Sequence, residues 1–361
     1  MNENTSKDVI NQRFAERFKS ARMLNGFSLQ DLADKLNNKI SRQALHKYEK
    51  GEVIPDSEMM GHLIGALGVR PDYFFKESNI ELGALEFRKL KKFSAKEQNR
   101  IVERTKDVLS RYLELEEIVG IESKFKNPLS GLGVISSFED VDNASKEVRK
   151  KWHLGLDPIY NSIELLEDNH IKVVEIHSDD GFDGMQTWVN GNIPVIAINM
   201  SRMKSADRTR FTVLHELGHL LLPLSGLGER EKETYCHQFA AAMLFPRETA
   251  EKEMGKSRTK LLIQELGALK QQYGISIQAL VYRARDLGII TDSYLKQFMF
   301  IMAHNQWKVN EPIQYEGVEK SNRFNQLIFR ALAEELISIS KAAALTNQTL
   351  NDFRKQMMLV E

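Results

Sequence analysis

The chain has 361 residues, of which 42% are apolar and 28% charged, a composition that suits several globular domains and excludes disordered and fibrous classes. Lysine plus arginine match aspartate plus glutamate, 50 against 50, which excludes a uniformly basic nucleic-acid coat and an acidic tail protein while leaving room for a local basic patch. The single cysteine, Cys236, forbids an intrachain disulfide and a multi-cysteine zinc cluster. The polar start MNENTSKDVI does not read as a signal peptide, and no apolar run approaches the roughly 18 residues of a membrane span, so a cytoplasmic protein with no membrane partner is expected.

Residues 11–76 read as a row of short helices. Phe14, Phe18, Ala21 and Leu24 recur at helical spacing, and Gly26 stops the run. Ser28 is suited to cap a second helix with Leu29, Leu32, Ala33 and Leu36 on one face. Asn37-Asn38 breaks it, and a third helix is expected from Ser41 to about Lys50, ending at Gly51. A fourth runs from about Ser57 to Leu67, and Pro71 opens a fifth turn expected to bring Tyr73, Phe74 and Phe75 onto the core. After a mixed-charge linker at 78–92, one long helix is expected over Ser94–Val119. Residues 120–142 are rich in Gly, Ser and Pro and read as a hinge. Helices are expected around Ala144–Leu154 and Ile159–Asn169.

The period then changes to two. Lys172–His177 and Met185–Val189 read as strands, and Asn190-Gly191 as a hairpin turn leading to the partner strand Ile193–Asn199. Helical periodicity resumes near Arg208 and continues to the end.

Two stretches carry chemistry. In FTVLHELGHLLL, His215 and His219 lie one helical turn apart on one face, so both imidazoles can reach one ion. Glu216 sits beside them, placed to take a proton from a water that zinc acidifies to a pKa of about 7. The alternative is two helix histidines capping a core. A catalytic zinc needs a third protein ligand and an open position. The chain turns back over Pro223–Gly228, and an antiparallel helix starting near Glu229 places Glu233 opposite His219, with Glu229, Glu231 and His237 as rivals. The preceding hairpin offers an edge strand on which an extended substrate can pair, or serves as core sheet only.

The other stretch is FSLQDLADKLNNKISRQALHKYEKG, which has the layout of a helix-turn-helix. Arg42, Gln43, His46 and Lys47 project from one side of its second helix while Leu45 and Tyr48 face the core. Arg and Gln side chains match guanine and adenine edges in the major groove. Lys39 and Lys47 are placed to meet phosphates, with Ser41 at the start of the second helix and Gln30 at the start of the first. The bland reading is a helical bundle with a solvated charged face.

RFTVLHELGHLLL followed by ETYCHQFAAAMLFP resembles the ImmA/IrrE-type metallopeptidases, whose second helix reads E-x-x-A-N-x-F-A-A-x-L-L-x-P. Glu233, Phe239, Ala240, Ala241, Leu244 and Pro246 match that pattern, whereas Cys236 and His237 stand where the family usually has Ala and Asn. The resemblance covers about residues 160–290 and implies Glu233 as the third ligand of one catalytic Zn2+ and a protein substrate, often a DNA-bound repressor. At His237 it leaves two readings open, a fourth ligand that closes the site or a donor to the oxyanion of a cleaved amide. Residues 14–75, including E-K-G-E-x-x-P after the recognition helix, resemble the five-helix Xre/Cro repressors, which act as dimers on two half-sites of an operator.

The expectation is therefore a multi-domain protein: an all-α five-helix repressor-like domain and an α+β zincin-like domain with a small sheet and a helical C-terminal tail. The expected divisions are an Xre/Cro-like DNA-binding domain at 11–77, a helical linker and hinge at 78–142, the metallopeptidase domain at 143–292 and a helical module at 293–361. Its expected function is a nucleoid-associated, homodimeric transcriptional regulator carrying a zinc endopeptidase that cuts a regulatory protein. Its rival is a repressor, or the antitoxin of a toxin–antitoxin pair, whose zincin-like domain senses a ligand or partner without cutting.

Overall fold

A computed structural model of the chain describes residues 3–75, 80–83, 93–178, 181–308 and 310–358. The expected linker at 78–92 therefore lies largely outside the described residues. Helices α1 (Glu3–Leu24), α2 (Leu29–Lys35), α3 (Arg42–Glu49), α4 (Ser57–Leu67) and α5 (Ala95–Val119), with the tail helices α14 (Arg323–Ala333), α15 (Ile339–Leu345) and α16 (Leu350–Met358), make one compact unit. Leu82 and Gly83, helices α6 to α13 and the sheet make a second.

In the first unit the chain's own punctuation sets the helices. Ser28 caps α2 in a reciprocal box: the Asp31 amide donates to its hydroxyl (3.0 Å), and the Ser28 amide donates to the Asp31 carboxylate (2.8 Å). Asn37 and Asn38 adopt left-handed backbone, φ 53° and 54°, and turn the chain into α3, which Ser41 caps through the Ala44 amide at 3.1 Å. Phe14, Phe18, Leu32, Leu45, Leu63 and Phe74 close the core, with Tyr48 packed edge-on against both Phe14 and Phe18. Phe75 departs from expectation: it is 47% exposed, because the 3-10 turn Pro71–Phe75 directs only Phe74 fully inward. Leu115 of α5 belongs to a small core with Leu327, Ile328, Ala343, Leu345 and Phe353 of the tail helices. The Arg111 guanidinium donates to the Leu345 carbonyl at 2.9 Å.

The second unit holds α6 (Phe138–Lys151), α7 (Ser162–Asp168), β1 (Lys172–Ile176), β2 (Gly184–Val189), β3 (Ile193–Asn199), α8 (Ala206–Leu221), α9 (Glu229–Leu244), α10 (Arg247–Met254), α11 (Ile263–Tyr273), α12 (Ile277–Asp286) and α13 (Asp292–His304). Helix α6 begins six residues before the expected Ala144, because Ser137 and Asp140 close a capping box there. The sheet has the order β1-β3-β2. Strand β1 runs parallel to β3 (Lys172 opposite Val195) and β2 antiparallel to it (Gly184 opposite Ile198). The hairpin turn is as expected, with φ of 50° at Asn190 and 74° at Gly191, the double left-handed turn that suits the strand twist. Among the described residues no helix is long and apolar enough to cross a membrane.

Two buried charge clusters fix α8. Lys270, 2% exposed, bridges Asp207 in the first turn of α8 (3.0 Å) and Glu311 (2.8 Å), whose carboxylate also accepts the Ile277 and Gln278 amides at the start of α12. Arg210, with no exposed surface, pairs with Glu319 at 2.7 Å, and Glu319 accepts the Ile163 amide at the start of α7. Both glutamates lie on the segment that links α13 to α14, so this strap is tied twice to α8 or to its immediate neighbour.

Candidate functional site

Helices α8 and α9 form an antiparallel hairpin across Pro223–Gly228. Their closeness depends on a glycine facing a small residue: a Cβ added at Gly218 would lie 3.2 Å from Cys236 Cα and 3.3 Å from its Sγ. Cys236 is fully buried at that crossing, a packing residue between the helices. With the helices so near, Glu233 on α9 reaches both histidines of α8. Its carboxylate oxygens lie 3.2 Å from His215 Nε2 and 3.3 Å from His219 Nε2, and the two Nε2 atoms are 3.2 Å apart. A tetrahedral zinc with bonds of about 2.0–2.1 Å spaces its ligand atoms by about 3.3 Å. The two Nε2 atoms, each with a different carboxylate oxygen of Glu233 beside it, converge at that spacing and fit a small divalent cation, since a single shared proton would serve only two of these atoms.

His237, the fourth member of the cluster, is solvent-exposed. Its ring centroid is 4.3 Å from that of His215, and the ring also stacks with that of Phe211, centroids 5.9 Å apart. One of its ring nitrogens lies within 4.8 Å of ligand atoms of both His215 and Glu233. The rivals for the third ligand are engaged at the start of α9: Glu229 pairs with Lys232 at 3.4 Å, and Glu231 accepts the Gly228 amide at 3.0 Å. Tyr235 points away and donates to the Ser136 carbonyl at 3.0 Å.

Glu216 is 1% exposed and lies against the start of β2. A Cβ added at Gly184 would meet Glu216 Cγ at 2.9 Å and Thr212 Cγ2 at 3.0 Å. Gly184 thus lets the edge strand pass directly over the glutamate, a role that sequence reading missed; its only signal was a glycine just before a strand. Asn199, fully buried, holds the loop before β2 by donating to the Ser178 carbonyl (3.0 Å) and accepting the Ser178 amide (3.1 Å).

On α3, Arg42, Gln43, His46 and Lys47 are all exposed on one side, opposite buried Leu45. Two flanking residues already have partners: Gln30 donates to Asp34 at 2.9 Å, and Lys39 Nζ lies 3.0 Å from His62 Nε2.

A compact helix-turn-helix with an exposed second helix, and a helical hairpin carrying a His-Glu-His cluster beside a buried glutamate, define the two parts of this chain. Residues 18–74 match the helix-turn-helix family model, and residues 167–285 match the model described as an IrrE N-terminal-like domain of the M78 peptidases. The chain therefore carries an Xre-type helix-turn-helix domain followed by an IrrE/ImmA-like M78 domain. A stretch of 68 residues, 19% of the chain, is 38% identical to the SPbeta prophage-derived uncharacterized HTH-type transcriptional regulator YonR of Bacillus subtilis (strain 168). The match spans 61% of that relative's length.

Proposed function

We propose that this protein is a DNA-binding transcriptional regulator whose second unit is a zinc-dependent endopeptidase acting on a regulatory protein. The observation that carries the reading is the convergence of His215, His219 and Glu233 at 3.2–3.3 Å with buried Glu216 alongside. His215, His219 and Glu233 would hold the ion, leaving one position open. Zinc bound there supplies Lewis acidity, polarising the scissile carbonyl and lowering the pKa of water to about 7. Glu216 takes the proton of the attacking water and hands it to the departing amine. His237, exposed at the mouth of the cluster, donates a hydrogen bond to the oxygen on which negative charge develops. The substrate strand pairs along β2, which passes over Glu216 at Gly184.

On DNA, Arg42, Gln43, His46 and Lys47 enter the major groove, with Ser41 and Lys39 beside the backbone and Gln30 bracing the first helix. The protein binds an operator as a homodimer in the cytoplasm, on the nucleoid. A formal net charge of zero makes its non-specific binding modest.

A second reading has one observation in its favour: the ring nitrogen of His237 within 4.8 Å of His215 and Glu233 suits a fourth ligand that closes the site and makes the domain a sensor, as in a non-proteolytic antitoxin. Native mass spectrometry, with the Glu233→Ala and Glu216→Gln variants, separates the two. One zinc in the wild type, weakened in Glu233→Ala and retained in Glu216→Gln with loss of partner cleavage, supports the enzyme. Unchanged function of Glu216→Gln in cells supports the sensor. Operator binding that survives the double change Arg42→Ala with Gln43→Ala would sink the DNA assignment.

A further inference from the structure

Helices α15 and α16 repeat the local plan of α2 and α3. Each pair opens on a serine cap, Ser28 or Ser338, whose hydroxyl accepts the amide three residues on, from Asp31 at 3.0 Å and from Lys341 at 3.2 Å. Each first helix has seven residues and buries its fourth and fifth, Leu32 and Ala33 or Ala342 and Ala343. Each chain then turns at an asparagine nine residues after the cap, in left-handed backbone: Asn37 at φ 53°, Asn347 at φ 54°. A second hydroxyl starts the second helix, Ser41 accepting the Ala44 amide and Thr349 the Asp352 amide, both at 3.1 Å. Four residues after that cap each helix buries one large apolar side chain, Leu45 or Phe353. The tail reaches its second cap two residues sooner, so its turn is the tighter one. Behind it, α14 supplies Leu327, Ile328 and Ala331 to a shared core, as α1 supplies Phe14 and Phe18 to the other.

The outward residues correspond as well. Two residues after the second cap stands an amide, Gln43 or Asn351; five after it an imidazole or a guanidinium, His46 or Arg354; six after it a lysine, Lys47 or Lys355. All six are exposed. Asp352, where α3 has Ala44, accepts the Thr349 hydroxyl at 2.6 Å and so serves the cap. Arg354 and Lys355 are a small charge by themselves; their weight comes from standing where α3 carries His46 and Lys47. Both first helices are also held to α5 through the same position, their third. Asp31 pairs with Lys96 at 3.0 Å, and Lys341 pairs with Glu114. Lys96 and Glu114 are about five helical turns apart, so they point from one side of α5 and stand about 27 Å apart along it. One helix thus carries two modules of the same plan on one side.

We propose that α16 is a second DNA-reading helix, so that each chain meets double-stranded DNA through two modules mounted on α5. Asn351 offers the paired donor and acceptor that match an adenine edge, and Arg354 the fork that matches guanine. Lys355 meets phosphate. An anchor spacing of about 27 Å is shorter than one DNA turn of about 34 Å, which lets both modules meet one duplex. The operator is then composite, with one element read by α3 and an unlike one read by α16. This inference rests on the DNA reading of α3, whose plan it extends.

The probe is a pool of DNA duplexes with a randomised centre of about 60 base pairs, roughly six helical turns, selected on the full chain. Three forms are compared: the unaltered protein, the triple change Asn351→Ala, Arg354→Ala and Lys355→Ala, and the double change Arg42→Ala with Gln43→Ala. The changed side chains are all exposed, and thermal melts show whether each form keeps its fold. The unaltered protein should enrich two unlike elements at a fixed spacing. The triple variant should keep the element read by α3 and lose the other, and should bind the originally enriched duplex about tenfold more weakly, as the loss of one bidentate base contact requires. Its slope of log affinity against log salt should flatten by about one, the share of Lys355. The same elements enriched by the triple variant with unchanged affinity overturn the proposal and leave the reading of α3 in place. Weaker binding to unchanged elements makes α16 a phosphate contact only, and overturns its reading role. If instead the double variant selects what the unaltered protein selects while the triple variant does not, α16 stands and the reading of α3 falls. No enrichment by any form overturns both.

Discussion

Gly218 shows how one missing side chain sets a site. The contact it makes is with Cys236 Cα, a backbone atom that no rotamer change can move away. Gly218→Ala should force α9 off α8 by a few tenths of an ångström, at a cost of about 1–3 kcal/mol. Glu233, one turn from the crossing, would move away from His215 and His219 as a result. A lowered urea midpoint together with faster zinc loss to a chelator is the expected pair of results; a midpoint shift with unchanged zinc retention would show that the crossing does not position Glu233. Within this site much was legible beforehand. The four-residue spacing of His215 and His219 dictates a shared face, and the length of the turn at Pro223–Gly228 brings Glu233 back opposite them. Gly184 was not legible, because nothing in a local pattern tells which helix will lie beneath a strand.

At the scale of elements, the caps do most of the specifying. Asp31 is held down to about 2 from its ordinary 3.8, first by the Ser28 amide, then by Lys96 and the Ser28 hydroxyl. The folded value lies below the unfolded one, so this carboxylate's contribution is complete above about pH 4 and disappears as the pH falls through about 2. An NMR titration of the Asp31 carboxyl should give a midpoint near 2, moving upward in Ser28→Ala. That variant should also lose about 0.5–2 kcal/mol of stability, as helix caps do. A midpoint near the ordinary value would mean that the box does not persist in solution. The same rule explains where element ends were misjudged: the Ser137–Asp140 box lies inside a stretch whose glycines and prolines read as irregular, and it starts α6 early.

Over the whole molecule, the second unit is organised by charges buried far apart in the chain. Lys270 and Glu311 are 41 residues apart, and Arg210 and Glu319 are 109 apart. Neither glutamate belongs to a periodic run, which is why sequence patterns offered no sign that the strap from α13 to α14 is bound to α8 and its neighbour. Replacing one member of such a cluster leaves its partners buried without compensation. Lys270→Met should therefore cost about 3–5 kcal/mol, and adding Asp207→Asn with Glu311→Gln should recover part of it. Thermal melts of the single and triple variants check this; equal losses in both would mean that shape, not charge, holds the strap.

The crossing of α8 and α9 also gives the protein a chemical clock. Its one thiol is fully buried where the two helices meet. An alkylating reagent can reach Cys236 only when the helices part, so the labelling rate counts openings of the hairpin. An ion gripped by His215, His219 and Glu233 ties the same two helices together and should slow that clock in proportion to its occupancy. The speed of the reaction, followed by mass, would then report how often the centre comes apart, with no substrate needed.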